Sequence, residues 1–372
     1  EAASAIHHQT LPKQEEWPWV MMKESLINLK LITAKQRLIK RKNRENWSMK
    51  VTVVGGGAIG LWIASRLART GVEVSLLARG ITLKRINDRG VLVRDKNNEL
   101  CEQILASDDA RNLGLQDLVV FAVKSHDLPT AAKLSKELIN QNTIILPAMN
   151  GVPWWFLESA PSALAQKPLR SVDPTGDCAA LLPTNQVLGG VVHASCFVDE
   201  PGVVQHVMGN GFIIGAAAGL AAGQIEIVEK LLKNAEFDVT VSRNIRYDIW
   251  YKLWGNMTMN PLSAITGATC DLILDDPEAR AFASAVMDEA SRIGAAIGCP
   301  IEQTADDRHE VTRKLGAFKT SMLQDAEAGK QLEIGALLEA PQEIARLAGI
   351  DTPSLDHLLG LMRVFNKSRT GH

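Results

Sequence analysis

Met49-Lys50-Val51-Thr52-Val53-Val54-Gly55-Gly56-Gly57-Ala58-Ile59-Gly60 carries a short apolar strand straight into a Gly-x-Gly-x-x-Gly turn, and an amphipathic stretch, roughly Ala58 to Arg69, follows. Strand, glycine turn and helix in that order read as the start of a dinucleotide-binding domain. Gly55 allows the tight turn, Gly57 lets the backbone approach a pyrophosphate, and Gly60 lets the helix pack closely on the sheet. The unpaired N–H groups of the first helical turn, at Ala58 and Ile59, and the positive dipole end would then face the phosphates. The next strand, Val72 to Leu77, ends at Ala78-Arg79-Gly80. An acid commonly stands there to hold the ribose 2′-OH of NAD, whereas Arg79 offers a planar, always charged fork for a 2′-phosphate. NADPH/NADP is therefore the expected cofactor, against the alternative that Arg79 is a solvated surface residue.

Further along, Gly90 to Arg94 and Leu100 to Leu105 read as a strand pair around the polar turn Asp95-Lys96-Asn97-Asn98. Asp117 to Val123 and Thr143 to Leu146 are continuous apolar runs, as expected of parallel strands covered on both faces. The first ends at Lys124 and the second runs to Pro147, just before Asn150-Gly151, both at carboxyl ends where ligands of such sheets sit. A helix is expected from Leu128 to Ile139. Between Val187 and Gly215 the pattern turns to antiparallel strands, followed by a helix near Ala221–Asn234 and a strand near Val239–Ser242. Beyond Ile245 helical periodicity dominates, through Ile249–Asn260, Pro277–Ile297, Ala305–Ala328, Ile334–Ala348 and Ser354–Val364. The expected fold class is α/β: a Rossmann-type doubly wound dinucleotide-binding domain over residues 49–243, then an all-α substrate domain over 244–372. The substrate cleft is expected between them.

Composition agrees with a globular chain of that size: 372 residues, 46% hydrophobic and 22% charged. A formal charge of −2 gives no general reason to expect nucleic acid. No apolar run is long enough to span a bilayer, and the five scattered cysteines have no metal-ligand spacing, which suits a cytoplasmic protein. Residues 1–48 stand apart, and from Lys35 to Arg44 they carry Lys35, Arg37, Lys40, Arg41, Lys42 and Arg44 with no acid among them. They read as a basic extension outside the fold, or else as an amphipathic helix for a membrane surface, nucleic acid or receptor.

Tyr251 to Leu262 places Lys252, Asn256 and Asn260 at four-residue steps, one stripe of an otherwise apolar helix. Buried polar groups cost free energy unless something satisfies them, and a bound polar substrate would. The other reading has the stripe facing solvent or the first domain. Gly55 to Gly60, Lys124, Asn150-Gly151, this helix with Pro261, and Ser321-Met322-Leu323-Gln324-Asp325 with Glu333 together resemble, in order and spacing, the ketopantoate reductase (2-dehydropantoate 2-reductase) family from Met49 to the C-terminal helices. The resemblance implies NADPH-dependent reduction of 2-dehydropantoate to pantoate, a step toward coenzyme A. It implies Lys252 as general acid, with Glu333 holding the substrate hydroxyl and orienting the lysine. It further implies Asn256, Asn260 and Ser321 on the substrate, with Lys124 and Asn150 at the cofactor and substrate edge of the first domain. Asp325 receives no catalytic role.

The family usually has an aspartate after Glu333-Ile334 and Asn-Gly shortly afterwards, where this chain has Gly335, Leu338 and Glu339. Those positions leave the identity of the 2-oxo acid open, and a non-catalytic NADP(H) sensor stands as the reading from another class. His126 borders the cofactor cleft on this reading, whereas His193 and His206 read as core or surface groups and Trp154-Trp155-Phe156 as packing. The apolar helical faces permit a homodimer without demanding one. Ser321 and Glu333 are twelve residues apart, roughly 18 Å on a straight helix, so the chain must break between them if both serve one site, and Gly329 is the expected place.

Overall fold

The computed structural model describes residues 49–160 and 164–370. The basic extension over residues 1–48 lies outside the described residues. β1 (Lys50–Val54) is flanked by β2 (Glu73–Leu77) and β6 (Leu118–Phe121), both parallel to it. With β5 (Leu105–Ser107) and β7 (Ile144–Pro147) they form one parallel sheet in the order β5-β2-β1-β6-β7. β6 and β7 are buried at every residue, as helices on both faces require. The strand order reverses between β1 and β6, so the glycine turn after β1 and Lys124 after β6 flank the switch point where ligands bind.

The expected hairpin forms as β3 (Val91–Arg94) and β4 (Glu99–Glu102), but it leaves the parallel sheet. β3 pairs with β9 (Val203–Ala216), which also pairs with β10 (Asp238–Val241) and, antiparallel, with β8 (Leu188–Glu200). The β8–β9 register shifts at His193 and Ser195. Such bulges bend a strand and re-aim its side chains, often beside active sites.

After β10 the chain is helical. Helix Ile245–Thr266 begins where the Asn244 side chain accepts the Tyr247 N–H, and it buries Trp250, Leu253, Trp254 and Met257. Trp155 and Phe156 pack into the same core, as expected of packing residues, with the Phe156 ring 6.0 Å from that of Trp250. The run expected over Ala305–Ala328 is instead two helices, Ala305–Arg313 and Ser321–Glu327. Gly316 takes φ +65 between them, and the Thr320 hydroxyl accepts the Leu323 N–H to start the second. The helix expected over Leu128–Ile139 stops at Leu134. Helix Gly80–Arg89 was not foreseen, because it buries only Ile86 and so lacks an apolar stripe. The segment after Glu333 opens with a π turn, Gly335–Glu339, before helix Ala340–Ala348.

Candidate active site

A cleft of about 1240 Å³ runs from the glycine turn to the stripe on helix Ile245–Thr266. At the turn, Gly55 takes φ +116, and a Cβ there would lie 2.6 Å from Ala122 O. One at Gly60 would lie 2.2 Å from Gly55 O, so helix Ala58–Ala68 can approach the strand only because Gly60 has no side chain. A Cβ on Gly57 would meet only Ala122 O at 4.0 Å, leaving open space where a pyrophosphate approaches the backbone. No side chain caps this helix, and Ala58 and Ile59 line the cleft at its N-terminal end. The geometry fits a dinucleotide. Arg79, exposed at the mouth, pairs with no acid among the described residues. Asp108, just past β5, lines the same cleft. The sequence reading missed it because β5 is three residues long and the acids after it resemble a surface turn.

At the other end, the Lys252 ammonium donates to Asn150 Oδ1 at 2.8 Å and to the Val192 carbonyl at 2.6 Å. Burial lowers its pKa to about 8, against the opposing pull of the Glu333 carboxylate. The Val192 carbonyl was invisible in the sequence, since every residue has one. Asn256 and Asn260 line the cleft one and two turns beyond Lys252, and their amides have no hydrogen-bond partner among the described residues. Ser321 lines the facing wall.

Glu333 is 7% exposed and stands just before the π turn and helix Ala340–Ala348, beyond a helix end at Gly329, which takes φ +66. It lines the same cleft as Lys252, but its carboxylate is bonded to groups other than the Lys252 ammonium. Lys124 Nζ reaches Glu333 Oε2 at 3.2 Å and Asp325 Oδ2 at 2.5 Å, while the Ser125 N–H donates to Glu333 Oε1 at 3.0 Å. The nearer ammonium and the backbone N–H therefore hold Glu333, and its charge acts on Lys252 through space. Burial alone would lower the Lys124 pKa, but Glu333 and Asp325 together raise it. Asp325, given no role in the sequence reading, is thus a partner of Lys124.

His193, read as a core or surface group, lines the cleft beside Val192, where the strand bulges. Desolvation, then the positive charges of Lys252 and Arg308, push its pKa down to about 4, so its ring is neutral near pH 7. His126 instead pairs with Asp127, which is itself a cleft residue. His206 stacks on Trp62. The three departures from the family pattern all lie off the cleft. Gly335 packs under Ser171 O, Leu338 is fully buried, and Glu339 pairs with Arg363 at 2.6 Å. Among the described residues no group of three His, Cys, Asp or Glu side chains is placed to hold a metal ion. No helix among the described residues is long and apolar enough to cross a membrane.

Comparison with known proteins agrees with this geometry. The family described as ketopantoate reductase PanE/ApbA matches residues 51–219, and its C-terminal counterpart matches residues 244–366. The chain is 37% identical to a 2-dehydropantoate 2-reductase of Mesorhizobium japonicum over 85% of its own length and 97% of the relative's. It is 26% identical to one of Archaeoglobus fulgidus, covering 84% and 97%. Among solved structures, a Ralstonia solanacearum protein described as a ketopantoate reductase superposes with a TM-score of 0.83 at 45% identity, covering 87% of this chain and 99% of that one. The fold, the cleft and these matches together make the chain a member of the ketopantoate reductase family of dinucleotide-dependent oxidoreductases.

Proposed function

We propose that the chain reduces the ketone of 2-dehydropantoate to the alcohol of pantoate with NADPH, residues 49–243 holding the cofactor and residues 244–372 most of the substrate contacts. The observation that carries this reading is the state of Lys252. An ammonium has three N–H donors, and two are committed to Asn150 Oδ1 and Val192 O. The third is left for a substrate carbonyl oxygen. A pKa of about 8 keeps the group mostly protonated near pH 7 and close enough to that pH to release its proton readily.

The bound nicotinamide supplies the hydride. Gly55, Gly57 and Gly60 would admit the pyrophosphate, with the N–H groups of Ala58 and Ile59 facing it, and Arg79 would pair with a 2′-phosphate. Lys252 gives its Nζ proton to the oxygen that becomes the hydroxyl. Asn256 and Asn260 have amide groups to spare for the substrate's polar atoms, and Ser321 faces its carboxylate. Glu333, charged and held by Lys124 and Ser125, accepts from the substrate hydroxyl and keeps Lys252 protonated to a higher pH than burial alone would allow. Since Gly335, Leu338 and Glu339 lie off the cleft, they give no reason to prefer another 2-oxo acid. Following NADPH absorbance with 2-dehydropantoate and a panel of other 2-oxo acids tests the proposal. The expected result is the highest kcat/KM with 2-dehydropantoate, and NADPH binding without turnover of any of them would contradict it.

A further inference from the structure

The segment after Glu333 is wound as a π turn over Gly335–Glu339, and the Ala340 N–H bonds to Gly335 O, five residues back. That bond passes over Ala336 O, which an α-helix would have used for the Ala340 N–H. The freed Ala336 carbonyl accepts from the Val152 N–H at 3.0 Å. The methyl group of Ala336 meets the same loop: a Cβ on Gly151, which takes φ +84, would lie 2.6 Å from Ala336 Cβ. Behind the turn, a Cβ on Gly335 would lie 2.8 Å from Ser171 O, so the turn is gripped on both sides. Ala336 is 1% exposed, and neither contact can relax into solvent.

Asn150, the acceptor for Lys252, immediately precedes Gly151, and Glu333 lies three residues before Ala336. One small buried residue therefore joins the loop that carries the lysine's partner to the turn that carries the acid. We propose that Ala336 is a positioning residue: pressed on Gly151 and bonded to Val152, it fixes Asn150 against Lys252 Nζ and holds Glu333 in register with Lys124. Its activity readout rests on the proposed reductase function, and its second readout does not.

Ala336→Val adds two carbons to a contact with no room, whereas Ala336→Ser adds a single oxygen and keeps the backbone bond. With saturating NADPH, Ala336→Val is expected to lower kcat about 10–100-fold, the scale of an ångström-sized misplacement. NADPH affinity should stay within about twofold, and Ala336→Ser, the smaller intrusion, should lower kcat less than the valine does. In the Asn150→Ala background the valine should cost little more, because residues acting through one contact are not additive. Full additivity would overturn the proposal.

The second readout is the titration of Lys252 by NMR on labelled lysine, which requires no turnover. The charged or titratable groups acting on Lys252 and its neighbourhood are Glu333, His193 and, through His193, Arg308. Losing Asn150 as acceptor removes a bond to the charged form, so the pKa should fall further below about 8 in Ala336→Val. An unchanged Lys252 titration would overturn the proposal even if no 2-oxo acid were reduced, which separates its failure from that of the reductase reading. Should the valine variant not fold, Ala336→Gly, which removes the methyl wedge, is expected to shift the same two readouts. No shift there would equally overturn the proposal.

Discussion

Lys252 and Lys124 line one cleft in opposite electrostatic settings. Lys252 is bonded to a side-chain amide oxygen and a backbone carbonyl, and burial drives its pKa down to about 8. Lys124 lies between the carboxylates of Asp325 and Glu333, and its pKa is driven up. A lysine among neutral acceptors can part with a proton, whereas one between two carboxylates is a fixed charge. The first suits proton transfer. The second suits holding acids in place across the cleft, as Lys124 holds two side chains more than 200 residues away.

The sharpest way to break this contrast is to remove each lysine in turn. Lys252→Ala should lower kcat by about 10²–10⁴-fold, the usual contribution of a positioned acid, with little change in NADPH affinity. Lys124→Ala should cost clearly less in kcat, and steady-state kinetics showing equal losses would erase the distinction. At the cofactor end, Arg79→Ala should weaken NADPH binding by roughly 1.5–3 kcal/mol and leave NADH nearly unchanged, since only NADPH carries the 2′-phosphate. Titration of the two cofactors by fluorescence checks this, and equal losses would remove Arg79 from the role.

Stability should also separate the two lysines. Between about pH 8 and 10.5 the unfolded chain keeps a proton on Lys252 that the folded chain has shed, so this group makes stability rise with pH across that window and costs stability below it. Lys252→Met should therefore raise unfolding stability at pH 7 by roughly 1–3 kcal/mol. Lys124→Met should lower it, because Asp325 and Glu333 would keep their charges without the ammonium between them. Denaturant unfolding in which Lys252→Met is destabilising would contradict the assigned desolvation. The smallest effect concerns His193, whose folded pKa of about 4 lies below its ordinary 6.5. Stability should fall as pH drops from 6.5 toward 4, and His193→Gln should flatten that limb.

What the sequence made legible follows the range of the interactions. The glycine turn is a local device: Gly55 makes the turn, Gly60 the close packing, and Gly57 leaves open space, because turn, helix start and close packing all lie within a dozen residues. The stripe of Lys252, Asn256 and Asn260 is likewise local to one helix, and all three reach the cleft. The partners of Lys252 were half legible: Asn150 was a candidate, but Val192 contributes a backbone carbonyl that no side-chain pattern reveals. The arrangement of Glu333 depends on Lys124 and Ser125, 209 and 208 residues away in sequence, and no spacing rule specifies that competition. His193 was misread for a related reason, since its alternation is that of an ordinary strand and the bulge that turns it toward the cleft is a property of pairing with β9. The π turn at Gly335–Glu339 has no side-chain pattern that announces it, and the three departures from the family pattern fall on it, off the cleft.

Lys252, with its pKa lowered to about 8, is the proposed proton donor. The pH dependence of kcat for 2-dehydropantoate with saturating NADPH tests it directly. Activity should fall as pH rises through about 8, because the donor must be protonated, and the midpoint should move to lower pH in Glu333→Gln, where the charge that favours the ammonium is gone. A kcat that stays level from pH 7 to 10, or the same alkaline limb persisting in Lys252→Ala, would contradict it.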